Sequence, residues 1–418
     1  MVCLNLPPEE RYKPENVYLV GIIPGPSKPS KEQINHFLKY LVDDLDLFWD
    51  PGVLIPTPKI PTGRRIRCVV IPLVCDMVGA HEVAGFVSHA SSLCCGYCMI
   101  TNAKLDNLDE HFDRRTSSDH RQAANKWRTA KSEDDRTKIE QSCGVRWSEL
   151  LRLKYWDPTR FMVIDSMHLL LLGMLETHCR DVWGMSSALP DANGDPNPLV
   201  KTFEPPVVEA LLREFKFTPD NHLFDFDLPE LRHMCYASSL RWGGRHRAPL
   251  VNSLKTWVRM HSEFLSTINK LTTPSWIGRT PQFPGTASSG SLKADEWRSF
   301  CSIFLVFSLI RTWSRKAGRF PALLQNFMHL VSATETASLR CVNPHTISVY
   351  EWHVMSYLVG HKELFLDKRF VPNQHTALHL GEMLRMFGPV HAWRTYPFER
   401  YNGMMQSINT NYKIGPSP

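Results

Sequence analysis

The 418-residue chain is 43% hydrophobic and 22% charged, which is enough apolar material for two or three packed units and excludes a disordered chain. Its apolar runs at residues 169–172 and 303–310 are far too short to cross a bilayer, and the opening MVCLNLPPEERYK has no secretory character. Eleven cysteines at scattered spacing fit a reducing compartment rather than a disulfide framework, while a net charge of +6 permits nucleic acid as a partner without demanding it.

Residues 1–6 and 17–23 read as two strands, followed by a turn-rich Pro/Gly loop. Ser30 and Gln33 have the spacing of a capping box, and Ile34, Phe37, Leu38, Leu41, Leu45 and Phe48 continue it with helical periodicity. The basic run at 63–67 reads as a solvated loop. The β-branched run 69–74 then predicts a buried strand, with Pro72 marking a bulge or an edge. Strand, strand, helix, strand is a compact α/β pattern. Asp76 stands where the last strand ends, the position at which open α/β sheets place their chemistry; its ordinary alternative is a turn residue or helix cap.

Cys95 and Cys98 follow, nineteen residues after Asp76. By itself the spacing fits a redox pair, a coincidence or half of a zinc site. Residues 119–141 read as a charged, helical segment with little core face. From there to about residue 365 helix follows helix, at 207–217, 249–271, 294–313, 321–334 and 346–358. The expected organisation is a first core part over 1–100, a helical insertion over 101–365 and a return segment over 366–418. Within the insertion Asp165 is placed to cap the helix carrying His168. Arg241, Arg245 and Arg247, with Trp242 and two glycines, have the composition of a phosphate-contacting loop, or of an exposed loop tip.

His375 and His379 stand at i and i+4, hence on one face of a helix. Added to Cys95 and Cys98 they complete a Cys2His2 set, which suits structural zinc. Pro397 favours a first helical turn and places Glu399 in it. There the carboxylate would at least ease the helix dipole.

As a set, Asp76, Cys95/Cys98, His375/His379 and Glu399 resemble the catalytic core of a CACTA (En/Spm-type) DNA transposase, and more distantly that of the V(D)J recombinase. The likeness also rests on residues 17–26 (VYLVGIIPGP), on Asp165-Ser-Met-His168, on Gly388-Pro-Val-His391 and on Tyr396-Pro-Phe-Glu-Arg400. It implies an RNase H-like α/β core with a large all-helical insertion, mainly α overall. It also implies a DDE triad binding Mg2+ or Mn2+, with Asp76 as second acid and Glu399 as third, and a zinc site joining insertion and core. Transposon-end DNA is the implied partner, self-association is compatible, and the nucleus is the expected location.

The family's first aspartate lies on a strand upstream of the MVCLNL-like segment and has no counterpart here. Asp43, Asp44, Asp46 and Asp50 fall in or at the end of the first helix and are poor substitutes. The expectation is a truncated or degenerate transposase that neither cuts nor joins DNA as it stands. Two rivals remain: a non-catalytic, zinc-stabilised DNA- or protein-binding module of transposase descent, and a helical scaffold with incidental cysteines and histidines.

Overall fold

The computed structural model describes residues 1–23, 28–30, 32–109, 112–183, 205–237, 246–268, 270–278, 292–366 and 368–408. These residues are mainly helical, with two two-stranded sheets. By contact they form two units. The first comprises Met1–Leu169, Thr336–Val349 and Arg369–Pro418; the second comprises Leu170–Glu335 and Tyr350–Lys368.

In the first unit the helix Ile34–Trp49 begins as the sequence requires. The Ser30 N–H donates to Gln33 Oε1 at 2.8 Å and the Gln33 N–H to Ser30 Oγ at 3.2 Å, a reciprocal capping box. The helix leads into a hairpin of β1 (Val53–Thr57) and β2 (Ile60–Ile66), antiparallel from Val53↔Ile66 to Thr57↔Ile60. Arg64 and Arg65 therefore lie on a strand, which corrects the reading of the basic run as a loop. Prolines 56 and 61 interrupt the apolar alternation that would have announced this hairpin.

The two N-terminal strands do not form. Val2 and Val17 make a single antiparallel bridge, and the Tyr18 N–H donates to Met1 O at 2.8 Å. The proline-led turns Pro8–Arg11 and Pro14–Asn16 lie between them. The expected strand at 69–74 is also shorter and later. It is β3 (Leu73–Cys75), which starts only after Pro72, a residue with no N–H to give a ladder. Its partner is β4 (Met162–Ile164), parallel and in register from Leu73↔Met162 to Cys75↔Ile164. A fully buried three-residue strand has no alternation to read. Residues 119–141 are helical as expected, as two helices, Ser117–Thr129 and Glu133–Cys143. Ser132 starts the second, its Oγ accepting from the Asp135 N–H. The first of them buries His120, Ala123, Ala124 and Trp127, a real core face.

In the second unit the helices Pro205–Phe217, Leu228–Ala237 and Arg247–Ile268 enclose an apolar cluster that includes Phe215, Leu231, Met234, Leu250 and Leu254. Residues 294–313 are helical throughout, with a π-helical stretch at Phe300–Leu305. The helices Phe320–Ala337 and Pro344–Leu364 contribute residues 320–335 and 350–364 to this unit. His178 is buried within a ring of Trp183, Phe327, Tyr357 and Phe365, and its Nδ1 meets the Tyr357 hydroxyl at 3.1 Å. Among the described residues no helix is long and apolar enough to cross a membrane.

Candidate metal centre and acid cluster

The four residues of the Cys2His2 set converge. One ligand atom from each of Cys95, Cys98, His375 and His379 lies within 4.8 Å of the others, and all four residues are buried. Cys95 Sγ is 3.5 Å from His379 Nε2, Cys98 Sγ is 3.2 Å from His375 Nε2, and the two Nε2 atoms are 3.1 Å apart. Ligands bound tetrahedrally at the lengths usual for zinc stand roughly 3.3–3.8 Å from one another, so the arrangement is close to the edges of one tetrahedron.

Each half of the site is prepared locally. Pro372 and the Val371 N–H, which donates to Gln374 Oε1 at 2.9 Å, start the helix Pro372–Thr376. A 3-10 turn, Ala377–His379, continues it and puts both imidazoles on one side. On the other half, the Tyr97 N–H donates to Cys95 Sγ at 3.3 Å. Arg115 Nε donates to Cys95 O at 2.9 Å and Cys98 O at 3.3 Å, and its Nη1 to Cys143 O at 2.7 Å.

Electrostatics favour a cation here. The Cys98 thiol is held below its usual range by the hydrogen bond from Cys95 and by the two histidines, while burial pushes the Cys95 thiol up. A zinc ion would bind both sulfurs as thiolates and displace their protons. Burial also lowers His379 and favours its neutral, ligand-competent form. On the far side of His379, the Arg114 guanidinium faces Nδ1 and is itself anchored by Glu382.

A second cluster lies in the same unit. Asp76 ends β3 and caps the helix Met77–Ala84, its Oδ1 accepting from the Gly79 N–H at 2.6 Å. Asp165 ends the neighbouring strand β4 and is buried. Its Oδ2 accepts from the His168 N–H at 2.9 Å and meets His168 Nδ1 at 2.8 Å; its Oδ1 accepts from the Thr395 N–H at 2.7 Å. Thr395 precedes the helix Tyr396–Gln406, and its hydroxyl donates to Glu399 Oε1 at 3.2 Å. His168 Nε2 is 3.6 Å from that same oxygen. Asp165 raises the His168 pKa, with smaller contributions from Glu399 and Asp76, so all three acids act on one imidazole. Asp76 and Glu399 are both exposed.

The two clusters are mechanically joined. The Tyr97 hydroxyl, in the turn between the cysteines, donates to Met162 O at 3.0 Å, which fixes that turn to the start of β4. A cavity of about 30 Å³ lies between them, lined by Gly96, Tyr97, Thr376, Asp165 and His168 among others. That is room for about one water. The Tyr12 hydroxyl donates to Ala392 O, and its ring stands edge-on to Phe398 with centroids 6.1 Å apart, beside Glu399.

Residues 1–139 match the model of the transposase family tnp2. That match supports a transposase family. No curated protein matches the chain. The matched segment contains Asp76, Cys95 and Cys98, while Asp165, His168, His375, His379 and Glu399 lie beyond it. The fold brings residues from outside the transposase-like segment against residues inside it.

Of the basic cluster, Arg241 and Arg245 lie outside the described residues. Arg247 opens the helix Arg247–Ile268, donates to Phe224 O at 3.0 Å and stands 3.7 Å from Asp227. Sequence reasoning identified Asp165 as a cap, and it is one. It missed that the second carboxylate oxygen holds the Glu399 helix, because the partner is 230 residues away.

Proposed function

We propose that this chain descends from a DDE-type DNA transposase core of CACTA kind, built on an RNase H-like frame, and engages transposon-end DNA in the nucleus, with Asp76 and Glu399 as the second and third acids of the triad. The observation that carries the reading is the parallel pair β3–β4. It sets Asp76 and Asp165 at the same sheet edge, where His168 and Glu399 meet them and the Cys2His2 set is tied in behind. In this reading zinc is structural and belongs to Cys95, Cys98, His375 and His379, because thiolate and imidazole suit it. The hard carboxylates of Asp76 and Glu399 hold Mg2+ or Mn2+. Bound there, such ions would activate a water or 3′-hydroxyl and steady the leaving oxygen at phosphorus. Asp165 is assigned no ion in this reading; its hydrogen bonds fix His168 and the first turn of the Glu399 helix. Arg241, Arg245 and Arg247 contribute phosphate contacts.

A second reading, a zinc-stabilised DNA- or protein-binding module of transposase descent without catalysis, draws on the structural work both exposed acids already do. Asp76 caps a helix and Glu399 accepts from Thr395. Manganese binding separates the two. Electron paramagnetic resonance of zinc-loaded protein titrated with Mn2+ should show a bound ion that is lost in Asp76→Asn and in Glu399→Gln. Binding unchanged by both substitutions overturns the metal-ion assignment and leaves the binding module.

A further inference from the structure

Two histidines of the second unit stand apart from everything above. His329 lies on the helix Phe320–Ala337 and His353 on the helix Pro344–Leu364, and their Nδ1 atoms are 3.0 Å apart. The two imidazole nitrogens of the Cys2His2 set are 3.1 Å apart. The spacing at which two rings share one ion is thus reproduced by a pair with no cysteine in it. We propose that His329 and His353 form a second, two-imidazole site for a divalent transition ion such as Zn2+ or Cu2+.

The helices hold the pair ready. Each histidine is followed by a residue buried to 1% exposure, Leu330 and Val354, so neither backbone can roll away from its neighbour. One turn further along, the buried Asn326 donates from Nδ2 to Tyr357 O at 2.8 Å. A Cβ on Gly360 would lie 2.6 Å from that same Nδ2, which shows how closely the two helices approach. Preorganised ligands lose little freedom on binding, so even two of them hold an ion better than the same rings on a mobile surface.

Their chemistry suits the task. Both rings are half-buried, and burial lowers the pKa of each, with His329 adding to the shift at His353. At neutral pH both are therefore uncharged, the form that coordinates. Two neutral rings touching through Nδ1 share one hydrogen, donated by one and accepted by the other. A metal ion takes both lone pairs, and that hydrogen moves to the Nε2 of its own ring, so binding needs no net proton release. Two protein ligands leave positions for water or an outside ligand, and the site should rank below the Cys2His2 set in affinity for zinc. The Trp352 indole stands 5.0 Å from the His329 ring and 4.6 Å from the His353 ring, centroid to centroid, and is 59% exposed, close enough to report on occupancy.

The test is equilibrium dialysis of the full chain against excess Zn2+, with bound metal counted. Wild type should retain a second, weaker equivalent that His329→Ala and His353→Ala each lose, while Cys95→Ser keeps it and loses the tight one. A wild-type chain with a single equivalent overturns the proposal. So do alanine variants that keep wild-type circular dichroism and both equivalents. Should either variant fail to fold, Cu2+ added to the zinc-loaded wild type decides. A resonance spectrum with two coordinated nitrogens, and fluorescence quenching that Trp352→Phe removes, support the pair, and one nitrogen or none rules it out.

Discussion

Asp165 shows how much one buried carboxylate can organise. Burial by itself would raise its pKa, but the hydrogen bonds from His168 and Thr395 outweigh that and leave it below the ordinary range. Asp165→Ala should strip acceptors from three donors at once and cost roughly 3 kcal/mol or more, read as a fall in the urea midpoint. The buried histidines give a second prediction at this scale. Burial pulls His120 and His178 down to about 3, below the ordinary histidine value they regain on unfolding. The unfolded chain therefore binds protons first as pH falls below about 6.5, and stability drops from there towards the folded values. By pH 5 each histidine should cost about 2 kcal/mol. His178→Phe should flatten the pH dependence of chemical denaturation; an unchanged slope would show that His178 is not the group responsible.

At the scale of the element, the helix that Asp76 opens must also be stopped correctly. Gly85 ends Met77–Ala84 at φ 82°, and a Cβ there would lie 2.7 Å from Arg146 O. The Arg146 N–H donates to Gly85 O at 2.7 Å, so that backbone cannot retreat without losing the bond. Gly85→Ala should destabilise by about 1–3 kcal/mol through both the left-handed conformation and the clash, measurable as a lower melting temperature. Gly388 has open space around it but sits at φ 74°, ψ −154°, a region that glycine alone occupies readily, so Gly388→Ala should also cost about 1–3 kcal/mol, from the backbone alone.

Over the whole molecule, the Cys2His2 set joins a segment near residue 95 to one near residue 375, so its metal should set the stability of the unit that contains both. Chelation should loosen amide protection in residues 92–100, 112–116 and 372–387, while the core of the second unit around Leu231 and Leu254 keeps its own. Hydrogen exchange with and without chelator reads this directly, and uniform loss across both units would mean that zinc supports more than its own unit. Binding of duplex DNA should weaken with salt, and neutralising Arg241, Arg245 and Arg247 together should reduce the log–log salt slope by about 2–3 if each meets a phosphate. Arg247 already pairs with Phe224 O and Asp227, so its share should be the smallest of the three.

The amino-acid order determined what is local or carried by a fixed spacing. The capping box at Ser30 and Gln33, the cap at Asp165, the helical periodicity after residue 205, the position of Glu399 behind Pro397 and the two metal-ligand pairs were all legible, because each depends on neighbours within about one helical turn. What the tertiary structure decided is everything that needs a partner far along the chain. Residues 1–6 and 17–23 have strand composition but no ladder, since composition cannot supply the second strand. β3 and β4 are strands only because they lie beside each other, across 88 residues between Val74 and Val163 where the chain folds back. For the same reason the sequence offered Cys95/Cys98 and His375/His379 as two halves with alternatives. Folding alone brought the four ligand atoms within 4.8 Å, because proximity of residues nearly 280 positions apart is a property of packing and not of spacing.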